Sequence, residues 1–235
     1  MSASPHSFSK LPRGPDVLGE LLHSLSQPLT GLRCSLELSL GLPLEHSLEL
    51  SIEEVAEQQH ESVAAALQQA EKVIGMIQLM REYLDAGQPG PEAYSAALAP
   101  AMRSVIEELS SIAAVRGVQL RLVGRCSATV PVPESRLRLA LQYLITTIIE
   151  AQPASGKVML LLGEGPAGAV LRAEGERGFR ELAGATSTLR RVRLAIASRV
   201  FETAGASLVL GDGGPTGVDP AGFVLRIPRR VGAPA

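Results

Sequence analysis

The sequence predicts an α+β protein with an N-terminal antiparallel helical hairpin that forms a dimeric four-helix bundle, followed by an α/β sandwich in which a layer of helices covers a mixed sheet. Three observations predict this fold. Apolar residues recur with a helical period over the first third of the chain, a proline- and glycine-rich joint follows at 85–94, and short strands then mix with apolar helices. The 235 residues, 46% of them hydrophobic, suffice for two small domains.

The hairpin follows from two apolar stripes. Between Val17 and Leu40, leucines recur at spacings of four and three, as in a coiled coil, and a second periodic stretch runs from about Ile52 to Leu84. The first stripe is Leu18, Leu22, Leu25, Leu29, Leu32 and Leu36, and the second is Val63, Leu67, Ala70, Ile74, Ile77 and Leu84. Because one hairpin cannot bury both stripes, we expect a homodimer.

The second part mixes helices and strands without strict alternation. Helices are predicted at about 97–115, 134–152 and 187–205, and the strands at 118–124, 127–132, 157–163, 169–175, 206–212 and 222–228. The predicted organisation is a flexible tail at 1–13, the hairpin at 14–87, a linker at 88–96 and the α/β domain at 97–232.

The composition argues against several classes of function. The net charge is −2, no basic run exceeds three residues and aromatic residues make up 3%, which argues against nucleic-acid binding. Cys34 and Cys126 have no metal-ligand spacing, so no metal site is expected. No stretch is apolar enough for a signal peptide or a membrane span, and we expect a cytoplasmic protein.

A proline lies inside the first predicted helix, five residues after a histidine. Pro28 has no amide hydrogen and frees the carbonyl of Ser24, at a cost of about 3 kcal/mol if nothing compensates. On an ideal helix His23 lies roughly 140° from the centre of the apolar stripe, with Gln27 and Thr30 on nearly the same face. An exposed imidazole there can act as a nucleophile towards phosphorus, although an ordinary surface histidine is the alternative interpretation.

The stretch His23-Ser24-Leu25-Ser26-Gln27-Pro28-Leu29-Thr30 resembles the H-box of bacterial sensor histidine kinases, His-Glu-Leu-x-x-Pro-Leu-Thr, in which the histidine is the phosphoacceptor. The resemblance extends through the chain from about residue 14, as a phosphotransfer domain followed by an ATP-binding domain. It implies that Gln27 and Thr30 flank the phosphorylated histidine. Ser24 departs from the pattern, because the family usually has a carboxylate there that accepts the imidazole proton.

The nucleotide-binding motifs of the resembled family are mostly replaced. Thr147 stands for the magnesium-binding asparagine, and Glu174 to Gly178 stand for Asp-x-Gly-x-Gly, with Glu174 in the adenine-reading position. Arg191 and Arg193 stand where glycines let phosphates approach, and the segment for an ATP lid is short. Thr147 and Glu174 are then packing and surface replacements. The cluster Arg190, Arg191 and Arg193 is expected to pair internally, with Glu174 or Glu176, rather than with an acidic partner or an anion.

The resemblance therefore implies a kinase-derived histidine phosphotransferase. His23 would relay phosphate between the aspartates of response-regulator receiver domains, fed in some systems by an upstream hybrid kinase, and no cofactor is expected. One alternative is a divergent sensor histidine kinase that uses ATP and magnesium. Another is a non-catalytic pseudokinase scaffold, whose partner binding would not need His23.

Overall fold

The computed structural model describes residues 15–40, 52–88, 95–176, 188–212 and 221–229. These residues form two compact units, one made by the helical hairpin as far as Glu82 and one that begins at Tyr83. The predicted tail, most of the predicted linker, the lid segment and Gly178 lie outside the described residues. None of the described helices is long and apolar enough to cross a membrane.

The hairpin consists of α1 (Pro15–Leu40) and α2 (Ile52–Ala86), as the apolar stripes predict. The two helices meet at Gly31, where an added Cβ would lie 3.4 Å from the Gln69 side chain. Much of both predicted stripes stays exposed in the single chain, with relative accessibilities from 46% to 62%. We name these residues the hairpin stripe: Leu22, Leu29, Leu36, Val63, Leu67, Ile74, Ile77 and Leu84.

The second unit is a mixed sheet with three long helices, which confirms the predicted fold class. Its elements are β1 (Ala96–Ala97), α3 (Leu98–Val115), β2 (Gln119–Gly124), β3 (Thr129–Val130), α4 (Glu134–Ala151), β4 (Lys157–Gly165), β5 (Gly168–Gly175), α5 (Thr188–Thr203), β6 (Ser207–Asp212) and β7 (Ala221–Pro228). The main sheet has the order β2-β4-β5-β7-β6, parallel between β2 and β4 and antiparallel elsewhere. β1 and β3 form a separate antiparallel pair.

The core lies between the sheet and the layer formed by α3, α4 and α5. Strand alternation sends every second residue to the helix side, so Leu160, Leu171 and Leu225 are fully buried. The intervening residues, such as Met159 and Val170, lie on the exposed face of the sheet. This alternation decides which side chains of β5 can reach a site between the sheet and the helices.

The last turn of α2 belongs to the second unit. The Arg199 guanidinium lies over the Tyr83 ring, 4.8 Å from its centroid, which is a cation–π distance. A Cβ at Gly87 would overlap the same guanidinium, so a glycine is needed for this close approach. Arg136 adds a 2.7 Å hydrogen bond from its Nη1 to the carbonyl oxygen of Gln88. The α/β unit therefore holds the end of α2 through side chains of two of its helices.

Candidate functional site

His23 lies on the exposed face of α1, as its helical phase predicts. Gln27 and Thr30 are also exposed, and Ser24 is half-buried. On a helix, Gln27 and Thr30 lie within about one quarter of a turn of His23, whereas Ser24 is offset from it by about 100°. None of the described residues hydrogen-bonds to the His23 imidazole. The ring is therefore presented to solvent beside two polar side chains.

Pro28 lies inside α1, which continues through it, and the proline ring is buried while His23 is exposed. Two hydroxyl groups around the proline bond back to the preceding turn. Ser26 Oγ donates to the Leu22 carbonyl at 3.3 Å, and Thr30 Oγ1 donates to the Ser26 carbonyl at 2.8 Å. Such bonds tend to bend a helix. Because the Thr30 hydroxyl proton is used within α1, its oxygen lone pairs are what it offers to a ligand.

Thr147 lies in the C-terminal half of α4 and is 1% exposed. Its Oγ1 donates a 2.7 Å hydrogen bond to the carbonyl oxygen of Tyr143, one turn earlier. A hydroxyl group bonded in this way is a poor substitute for the asparagine side chain that the resemblance places here. Thr147 therefore acts in the packing of α4, in agreement with its interpretation as a packing replacement.

Gln152, directly after α4, fills the space beside the end of β5. Its Nε2 donates to the Ile148 carbonyl at 3.1 Å, and its Oε1 accepts from the Glu176 amide at 2.8 Å. A Cβ at Gly175 would overlap the Gln152 amide, so the backbone of β5 lies directly against this side chain. The buried glutamine thus ties the end of α4 to the end of β5, and it was not singled out from the sequence.

Glu174 stands in the adenine-reading position of the resemblance, where a surface replacement is expected. It lies on the exposed face of β5 because its neighbour Ala173 points into the core and successive strand residues point to opposite faces. Its Oε1 lies 2.8 Å from Nε of Arg172 on the same face, so the two side chains form an ion pair. The Arg172 Nε–H group is not aligned for a hydrogen bond in this pair. Glu174 therefore pairs with an arginine of its own strand.

The arginines at the start of α5 pair with Glu150 of α4 instead. Arg190 Nε lies 2.8 Å from Glu150 Oε2, and Arg193 Nη1 lies 3.7 Å from Glu150 Oε1. The Arg193 guanidinium also lies 5.8 Å from the centroid of the Tyr143 ring. Arg191 is exposed. We name Tyr143, Glu150, Arg190 and Arg193 the α4–α5 cluster.

Glu150 was missed by the sequence reasoning although a signal was present. Glu150 follows Thr147 by three residues, so the two lie on neighbouring positions of one helix face. A carboxylate one turn from a candidate pocket residue, with arginines predicted near the same pocket, indicates an ion pair. Arg190 and Arg193 pair internally, as expected, but with Glu150 rather than with Glu174 or Glu176.

A cavity of about 360 Å³ lies elsewhere, between the start of α3 and the ends of β2 and β4. Arg103, Arg125 and Cys126 are among its lining residues. Burial raises the pKa of the Cys126 thiol, which keeps it in the less nucleophilic protonated form. Within the described ranges no group of three or more His, Cys, Asp or Glu side chains is placed to hold a metal ion.

No protein-family model matches the sequence, and no curated protein matches it at a significant level. Solved structures do match in fold. The Acinetobacter baumannii histidine kinase AdeS is similar over 88% of this chain and 98% of that chain, with a TM-score of 0.62 and 15% identity. The fold is that of a histidine kinase core.

Full-length ShkA, solved in complex with AMPPNP, shares this fold with a TM-score of 0.53 and 19% identity. The match covers 91% of this chain but 45% of ShkA. The likeness to histidine kinase cores accounts for the order of the two units, with the hairpin first and the α/β sandwich second. His23 accordingly lies on the first helix of a kinase-type hairpin, and the α4–α5 cluster lies in a kinase-type sandwich.

Proposed function

We propose that the chain is a two-component phosphotransfer protein in which His23 carries phosphate between receiver-domain aspartates without using ATP. The observation that carries the proposal is the exposed His23 imidazole on a helix that continues through Pro28, in a chain with a histidine kinase fold. Gln27 and Thr30 flank the ring on the same face. A receiver domain would dock on this face of α1.

The transfer needs little from the hairpin beyond a nucleophile. The lone pair of one imidazole nitrogen attacks the phosphorus of a receiver aspartyl phosphate and forms a P–N bond. The bond from phosphorus to the acyl oxygen breaks, and its electron pair leaves with the aspartate carboxylate. The return step reverses this order on a second receiver. The receiver supplies the aspartate, the magnesium ion and most of the positioning.

The independence from ATP is supported by residues that fit a magnesium nucleotide poorly. The Thr147 hydroxyl donates to a backbone carbonyl, and the Glu150 carboxylate lies between two arginines. At its end, on the side that faces the helices, strand β5 places Gly175 rather than a carboxylate. No phosphate- or magnesium-positioning group of the resembled family is retained among the described residues, which argues against phosphoryl transfer from ATP.

The hairpin stripe supports a homodimer. Its eight side chains are apolar, about half-exposed in the single chain, and spread over both helices. Large exposed apolar patches on a soluble protein mark interaction sites, so half-exposed apolar side chains on both helices favour a partner surface. Packing two hairpins into a four-helix bundle would bury the stripe at the helix–helix interface while leaving the His23 face of α1 in solvent.

Phosphate uptake from charged receivers tests the proposal. Receiver domains encoded in the same genome are charged with acetyl phosphate and mixed with the purified protein. We expect an acid-labile, alkali-stable phosphoprotein that is absent in His23→Ala. His60→Ala is the matched control, because His60 is an exposed histidine on α2, and it should label like the wild type. Label retained by His23→Ala, or no uptake from any receiver, would refute the proposal.

The alternative is a divergent histidine kinase, which the fold of AdeS and ShkA favours. It predicts that His23 becomes labelled from magnesium and γ-labelled ATP with no receiver present. Labelling from ATP would replace the proposed function by the kinase. Labelling from receivers alone would retain the phosphotransfer protein.

A further inference from the structure

The cavity of about 360 Å³ at the start of α3 has a mostly apolar wall. Its apolar residues come from α3, β2 and β4 and include Ala99, Pro100, Leu122 and Leu162. Ligand pockets in proteins have volumes of roughly 300–1,000 Å³, so this cavity lies at the lower end of that range. It is therefore large enough for a small molecule with an apolar body.

The cavity is separate from the region of Gly175, where the resemblance places a nucleotide. Strands β4 and β5 are antiparallel, with Val158 opposite Gly175 and Leu162 opposite Leu171. Leu162, which lines the cavity, therefore lies towards the other end of this strand pair. A ligand in the cavity would not occupy the place of a nucleotide.

Two arginines give the cavity a positive charge. Arg103, in the second turn of α3, and Arg125, directly after β2, are both among its lining residues. Within the described parts of the chain, neither guanidinium group has a hydrogen bond or an ion pair with a carboxylate. A carboxylate matches the planar fork of donors that a guanidinium group presents. The two side chains therefore favour a carboxylate ligand.

The first turn of α3 favours negative charge at the same place. α3 has 18 residues, no acidic residue in its first turn and no side-chain cap from Ala97, so the positive end of the helix dipole is not compensated by its own side chains. The Leu98 amide donates to the Ala128 carbonyl at 3.0 Å, and Pro100 has no amide hydrogen. The Ala99 amide has no acceptor within α3, and Ala99 lines the cavity.

Glu164, at the end of β4, does not supply the missing negative charge. Its Oε2 accepts hydrogen bonds of 2.9 Å from both the amide and the hydroxyl of Ser127. These bonds, and then the charge of Arg229, lower the pKa of Glu164. Glu164 is not among the residues that line the cavity. Its carboxylate is therefore held by Ser127 and leaves Arg103 and Arg125 unpaired.

We propose that this cavity binds a small monocarboxylate, whose apolar body packs against Leu122 and Leu162 and whose carboxylate group is held by Arg103 and Arg125. The inference goes beyond the proposed function, because the cavity lies in the α/β unit and uses neither His23 nor the receiver-docking face. It holds or fails separately from phosphate transfer.

Protection of Cys126 against iodoacetamide tests the inference on the unaltered full-length protein. Cys126 lines the cavity, whereas Cys34 is exposed on α1 and serves as an internal control in the same sample. Benzoate is the probe, and mass spectrometry follows the modification of each cysteine. We expect saturating benzoate to slow the modification of Cys126 at least threefold and to leave that of Cys34 unchanged. Benzamide, which has nearly the same shape but no charge, and inorganic phosphate, which has charge but no apolar body, should not protect Cys126.

Arginine variants test the residues that hold the carboxylate group. Arg103→Gln and Arg125→Gln should each raise the benzoate concentration for half-protection at least tenfold. This concentration does not depend on the intrinsic reactivity of the thiol, so a change next to Cys126 does not distort it. Arg116→Gln is the matched control, because Arg116 is exposed after the end of α3 and does not line the cavity, and it should keep the wild-type value.

Four results would overturn the inference. Millimolar benzoate could leave Cys126 unprotected, or it could slow Cys34 to the same extent. Benzamide or phosphate could protect Cys126 as well as benzoate does, which would show that the cavity does not select a carboxylate with an apolar body. Protection could also survive unchanged in both Arg103→Gln and Arg125→Gln.

Discussion

Replacing Ile74 and Ile77 by glutamine tests whether the hairpin stripe is a dimer interface. The two side chains are 55% and 54% exposed in the single chain, so about half of their surface remains to be buried. Full burial of an isoleucine side chain contributes about 1.5–3 kcal/mol, so the remaining half contributes about 1 kcal/mol. Because a twofold dimer contains four such side chains, the double variant should lose about 4 kcal/mol of association free energy.

A loss of that size corresponds to a dimer dissociation constant raised roughly a thousandfold, because about 1.4 kcal/mol corresponds to a factor of ten. Sedimentation equilibrium over a concentration series measures the constant directly. Val115→Gln is the matched control, since Val115 is 90% exposed at the end of α3 and lies outside the stripe. The reasoning is refuted if the double variant dimerises as tightly as the wild type, or if the wild type is itself monomeric throughout the series.

Three further outcomes are expected. Hydrogen bonds from the Ser127 amide and hydroxyl lower the pKa of Glu164, so the stability that its carboxylate contributes is present above the ordinary carboxyl pKa and is lost as the pH falls through the lowered pKa. Glu164→Gln should therefore have a lower melting temperature than the wild type at neutral pH and the same melting temperature in acid. A difference in melting temperature that persists in acid would contradict this. In Gly222→Ala, the new Cβ on β7 would overlap the carbonyl oxygen of Ala173 on the neighbouring strand β5. Denaturant titration should therefore show a free energy of unfolding lowered by about 3 kcal/mol. An unchanged free energy of unfolding would contradict the overlap. Thr147→Asn should not create a nucleotide site, because the other groups remain changed, and a melting temperature raised by magnesium-ATP would show otherwise.

The secondary structure was predictable where apolar periodicity was long. The helices at 97–115, 134–152 and 187–205 agree with α3, α4 and α5 to within about two residues at each end, an accuracy typical of strongly periodic segments. The strand predicted at 127–132 is reduced to Thr129–Val130. Pro131 and Pro133 explain the reduction, because neither has an amide hydrogen to donate to a neighbouring strand.

The candidate site was predictable where helical phase alone decides. The exposure of His23 depends on its angle to the stripe on its own helix, which the sequence contains. The partner of Arg190 and Arg193 depends on how α4 packs against α5, and 40 residues separate Glu150 from Arg190. Glu174 could have been paired correctly, since Arg172 and Glu174 are two apart on one strand and such residues share a face.

The contact between Tyr83 and Arg199 has a practical consequence for gene fragments that encode the α/β unit alone. A fragment that starts at residue 97, where the sequence predicts the beginning of the α/β domain, would remove the Tyr83 ring and leave the Arg199 guanidinium without its aromatic neighbour. It would also remove Gln88, whose carbonyl oxygen accepts from Arg136. A fragment that begins about one helical turn before Tyr83 keeps both contacts. It is therefore the shortest fragment of this unit that we expect to express as a folded protein.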